Sequence, residues 1–168
     1  TGSAAPDTAT PTSETTPATD APATTSTLAP VDLSGDPFTL GVASGDPDAA
    51  SVVLWTRLAP NPLQGGGMPA DDYTVVWEVS GTQDFAEIVA TGTETAVPAR
   101  GHSVHAIATL DQGNWYYRFR VGQYTSPIGT TRPAPAAGAA VDTARFVVAS
   151  CQNYSDGYYA AHRDIAEQ

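Results

Sequence analysis

One residue in this 168-residue chain stands out for chemistry by type and by being single: Cys151. A thiolate is a strong, soft metal ligand and a nucleophile, and a loop after a strand can hold it rigidly toward a site. The plain alternative is a small buried hydrophobe near a strand end, a common fate of free cysteine. The residues around Cys151 show no second ligand. His102 and His105 form an H-x-x-H pair. That spacing chelates on a helix, but on a strand it sends the two side chains to opposite faces. Asp46, Asp48, Asp71 and Asp72 read as turn residues before they read as calcium ligands. Gly65-Gly66-Gly67 lacks the Lys and Ser/Thr that a phosphate-cradling loop requires. Asn153-Tyr154-Ser155 matches a glycosylation sequon, a short pattern with little weight.

The elements that would position Cys151 are a strand and a helix. Arg145–Ala149 reads as a buried strand, and Tyr158–Gln168 carries Tyr159, His162, Ile165 and Ala166 at helical spacing. A strand that ends in a polar loop and feeds a helix is how α/β enzymes present chemistry at the carboxyl ends of strands. One strand and one helix cannot bury each other, so this unit is expected to be the start of a larger α/β domain.

The preceding residues read as a complete small domain. Ser51–Arg57 and Tyr73–Ser80 are the clearest strands; in the second, Tyr73, Val75, Trp77 and Val79 alternate onto one face. Phe38–Ser44, Ile88–Thr95, Ser103–Leu110, Trp115–Val121 and Thr125–Thr131 complete the set, with Pro127 marking an edge. Ser103–Leu110 and Trp115–Val121 are predicted to form a hairpin around Asp111-Gln112-Gly113-Asn114. About seven short strands over ~100 residues have the size and pattern of an immunoglobulin-like or fibronectin type III sandwich. Trp55 and Trp77 are expected to dominate its core. Spacing favours Tyr116 as a tyrosine corner, whereas alternation puts Trp115, Tyr117, Phe119 and Val121 on one face.

Residues 1–30 contain 25 Thr, Pro, Ala or Ser and one large apolar residue, Leu28. Such a stretch is expected to be disordered. The expected boundaries are a tail over 1–35, a sandwich over 36–133, a linker over 134–143 and the start of the next domain over 144–168. The net charge is −11, from 18 acidic and 7 basic residues. No basic cluster offers a nucleic-acid footprint, and no apolar run approaches the ~20 residues of a transmembrane helix. A single cysteine excludes an internal disulfide. The chain starts at Thr1 without a signal-peptide pattern, so a removed leader or a fragment is expected.

Three segments resemble one family. Phe38-Thr39-Leu40-Gly41-Val42-Ala43-Ser44-Gly45-Asp46-Pro47 followed by Ser51-Val52-Val53-Leu54-Trp55-Thr56-Arg57-Leu58 is similar to the opening of the PhoD-type alkaline phosphatase/phosphodiesterase family. Trp115-Tyr116-Tyr117-Arg118-Phe119-Arg120 resembles that family's tyrosine-rich strand. Val147–Tyr154 with Gly157-Tyr158 resembles its entry into the catalytic domain. The resemblance implies a fibronectin-like domain followed by the first strand and helix of a truncated α/β, calcineurin-like metallophosphoesterase domain. It implies hydrolysis of phosphate mono- or diesters, export often by the twin-arginine route, and iron and calcium as cofactors. By the same resemblance Cys151, in Ser150-Cys151-Gln152, is an iron ligand; no other residue is assigned. The family's next Gly-Asp-Tyr motif would lie beyond Gln168, so the chain alone is expected to be inactive, and no oligomeric state is implied. The alternatives are a stand-alone fibronectin-like binding module on a Pro/Thr stalk and, with less support, a purple acid phosphatase.

Overall fold

The computed structural model describes residues 28–150, 153, 155 and 157–167. Among them, alternating apolar residues build eight strands: β1 (Val42–Gly45), β2 (Ser51–Arg57), β3 (Tyr73–Ser80), β4 (Ala90–Ala96), β5 (Ser103–Thr109), β6 (Trp115–Val121), β7 (Tyr124–Thr125) and β8 (Gly129–Thr131). A helix, α1 (Ala160–Glu167), follows. The strands form two antiparallel sheets. One has the order β1-β2-β5; the other runs β4-β3-β6-β7, with β8 also pairing with β6. Each sheet has one apolar face, and the two faces close on each other as a sandwich.

The core residues follow the period-2 rule strand by strand. β2 sends Val52, Leu54 and Thr56 inward and β5 sends Val104, Ala106 and Ala108. Opposite them stand Val75, Trp77 and Val79 from β3 and Tyr117, Phe119 and Val121 from β6. Thr56 is tolerated there because its hydroxyl donates to the Gly41 carbonyl at 2.9 Å, so no polar group is orphaned.

Trp55 departs from the expected core. It is only partly buried and shares the outer face of β2 with Val53. Ser51–Arg57 carries apolar residues on both faces, so alternation alone could not say which face turns inward. Pairing decides it: Trp55 sits opposite Ala43 and the exposed His105, on the outer face of its sheet.

The last expected strand is broken into β7 and β8. Pro127 has no N–H to continue a ladder. Ser126 bridges the interruption: its hydroxyl oxygen accepts the Phe119 N–H at 2.9 Å and its own N–H donates to the Phe119 carbonyl. The first expected strand is shortened to β1, because Phe38–Gly41 closes a turn through the Gly41 N–H to the Phe38 carbonyl. Phe38 itself is buried in the core.

Packing against the sandwich begins before Asp36, the expected start. Val31 packs on the core, and the Gln123 side chain pairs with its peptide as a strand neighbour would. The Val31 N–H donates to Gln123 Oε1 and Gln123 Nε2 donates to the Val31 carbonyl, both at 2.9 Å.

Residues 145–149 make no ladder with any described strand, and Phe146, Val147 and Val148 are exposed. This corrects the expectation of a buried strand. An apolar segment becomes a strand only when a neighbour takes its backbone groups, and no described strand does. α1 forms, with no buried residue.

Candidate functional site

Cys151, the one assigned metal ligand, lies outside the described residues, as do Gln152 and Tyr154. The flanking Ser155 is held locally: its hydroxyl donates to Asn153 Oδ1 at 3.1 Å. Among the described residues no group of three or more His, Cys, Asp or Glu could hold a metal ion. The described residues therefore do not fit an iron or calcium site.

The histidine pair comes apart as the strand geometry requires. His105 is exposed on the outer face of β5. His102 precedes the strand in the left-handed region, φ 56°, and is buried. Its Nε2 donates to the Asp71 carbonyl at 2.9 Å, and its ring meets Tyr73 edge-on at 5.8 Å. His102 thus ties the β2–β3 connection to the start of β5, a structural role.

The acidic residues serve turns. Asp48 Oδ1 accepts the Ala50 and Ser51 N–H groups at 2.7 and 2.6 Å. The bond from the Ala50 N–H, and then the Ser51 side chain, lowers the Asp48 carboxyl pKa from its ordinary value. A depressed folded value contributes stability above the unfolded value near 4 and loses it as pH falls through the folded value. In a carbon-detected NMR titration, the Asp48 carboxyl should therefore titrate below an aspartate in the unfolded chain. A midpoint equal to or above that of the unfolded chain would show that the turn bonds do not form.

One basic cluster is complete. Glu78, buried on the outer side of β3, receives Arg118 Nε at 2.6 Å and Arg120 Nη1 at 3.0 Å. The Arg118 guanidinium also lies 4.1 Å from the centre of the Phe85 ring. These arginines alternate with Tyr117 and Phe119 along β6, so the core face and the charged face come from one strand.

A cleft of about 650 Å³ opens between the edges of the two sheets. Ser44 and Pro47 line one side; Trp115, Thr130 and Arg132 line the other. Burial pushes the Tyr117 phenol up, and its hydrogen bond with Ser44 opposes that shift. Alternation, rather than spacing from Leu110, selects the core tyrosine: Tyr117 is buried and Tyr116 only partly so. Sequence reading missed two side-chain amides, Gln112 and Gln123, that bind distant backbone. Their only signal was placement in turns.

Two sheets in the order β1-β2-β5 and β4-β3-β6-β7, with a buried tyrosine on β6, define a fibronectin type III-like sandwich. Residues 22–135 match the family described as PhoD-like phosphatase, N-terminal domain. The chain belongs to this family. It is 52% identical over 138 residues to alkaline phosphatase D of Bacillus subtilis (strain 168), covering 81% of this chain and 24% of that protein. A solved structure of PhoD matches with a TM-score of 0.79 and 51% identity, over 82% of this chain and 27% of the other. The chain thus spans about a quarter of the length of the relatives it matches. No helix among the described residues is long and apolar enough to cross a membrane.

Proposed function

We propose that this chain is the N-terminal portion of a secreted PhoD-like phosphoesterase that hydrolyses phosphate mono- or diesters. The observation that carries this reading is the 52% identity to an alkaline phosphatase over 138 residues. The division is a tail, a sandwich that includes Val31 and runs to 133, a linker over 134–143 and the first part of a metallophosphoesterase domain from 144.

A bound metal in such an enzyme supplies charge to polarise the phosphoryl group and to acidify attacking water. The described residues hold no such site, and no step of the reaction is assigned to them. In this reading Cys151 contributes one thiolate to iron, and no other iron or calcium ligand is assigned to this chain. The sandwich supports that catalytic part.

The test compares this chain with a longer parent protein, using p-nitrophenyl phosphate and bis-p-nitrophenyl phosphate. The parent should hydrolyse at least one, and this chain neither. In the parent, Cys151→Ala should lose iron measured by elemental analysis. A parent inert toward both esters would overturn the enzymatic reading; full iron occupancy in the variant would overturn the role of Cys151.

A further inference from the structure

Three segments distant in sequence meet where the chain leaves the sandwich. They are the turn after β1 (Asp48–Ala50), the turn before β6 (Gln112) and Ala134 just beyond β8. The Ala134 N–H donates to the Asp48 carbonyl at 2.7 Å. Gln112 Nε2 donates to the Ala49 carbonyl at 2.7 Å and to the Ala134 carbonyl at 2.8 Å. An amide nitrogen has two hydrogens, and here each has its own carbonyl. The receiving turn is itself fixed, by Asp48 Oδ1 and by the Leu110 N–H bound to the Ala50 carbonyl at 2.9 Å.

We infer that Gln112 is a positioning residue, a clip that fixes the path by which the chain leaves the sandwich. An Ala/Pro-rich segment such as 133–140 has few side chains with which to hold a direction. Composition makes it a spacer from its first residue. The clip moves the start of free chain past Ala134. It also places that exit at the rim of the 650 Å³ cleft, since Pro47, Asn114 and Arg132 line the cleft beside the three clipped segments. Whatever follows the linker is therefore tethered to the sandwich beside this cleft. That the approaching part is the phosphoesterase domain rests on the function proposed above; the clip itself does not.

The chemistry needs a donor at this reach. Gln112→Glu keeps the length and replaces both donated bonds with a carboxylate facing two carbonyl oxygens. Gln112→Ala removes the reach altogether. Gln112 is exposed, so neither change disturbs the core.

Amide hydrogen exchange on this chain, read residue by residue by NMR, tests the clip. In the unmodified chain the Ala134 N–H should exchange about tenfold or more slowly than Ala137, the protection expected of a cooperating pair of exposed hydrogen bonds. In both Gln112→Ala and Gln112→Glu that protection should fall to the level of Ala137. Leu54 and Phe119 should stay protected, which shows that the sandwich is folded. An Ala134 N–H unprotected in the unmodified chain, or equally protected in both variants, would overturn the proposal. An inert parent enzyme would overturn the proposed function and leave the clip standing.

Discussion

Phe119→Ala should cost the sandwich about 3–5 kcal/mol, the range for emptying a fully buried aromatic site. Phe119 is 0% exposed at the centre of β6. It pairs across the ladder with Trp77 and meets the Tyr117 ring edge-on at 6.2 Å with an interplanar angle of 90°. Its neighbours cannot collapse into the vacated space, because both sheets are pinned by their ladders on either side. A domain of this size has about 5–15 kcal/mol in total, so the variant should stand near the edge of folding. Urea unfolding followed by tryptophan fluorescence should show a much lower midpoint at an unchanged slope. A loss under about 1 kcal/mol would mean that the core does not close around Phe119.

The second large effect comes from adding a single carbon. Gly129 on β8 lies opposite Tyr117 on β6, and the tyrosine ring lies over it. A Cβ at Gly129 would stand 2.3 Å from Tyr117 Cζ and 2.6 Å from its hydroxyl oxygen. Gly129→Ala must therefore push the ring off its site and break its bond to Ser44, at a cost of about 1–3 kcal/mol for overpacking. Gly35→Ala is the control, since a Cβ there meets nothing within 4 Å. Combining Gly129→Ala with Tyr117→Ala should cost less than the sum of the two, because the ring that clashes is gone. Strict additivity would show that the tyrosine does not lie over the glycine. The same arrangement recurs where Trp77 covers Gly92 across β3 and β4, with a Cβ 2.6 Å from Trp77 Cζ2.

These two glycines show where sequence reading stopped. Sequence patterning assigned Gly92 and Gly129 no role. Their purpose is visible only once the aromatic residue of the neighbouring strand is in place. The turn before β6 gives the same lesson for polar groups: Gln112 sits in a turn signal, and nothing local says that it reaches Ala49 and Ala134. Trp55 shows the limit of alternation, because a strand apolar on both faces has no inward face until its neighbours are known.

Of the candidate site, the sequence offered Cys151 by residue type and family resemblance. The described structure gathers no ligand cluster around any residue. It does settle the histidines: His102 is used to hold a loop and His105 faces outward.

The sequence by itself determined the local choices: the bounds of β2, β3 and β6, the sandwich class and membership of the PhoD-like family. Those depend on period-2 alternation and long matched strings, both readable along the chain. The tertiary structure alone decided which face of β2 turns inward, which glycines lie under aromatic rings and where the chain exit is held. Each of these is a contact between segments tens of residues apart. Its energy exists only when the sheets are paired, so no window of sequence contains it.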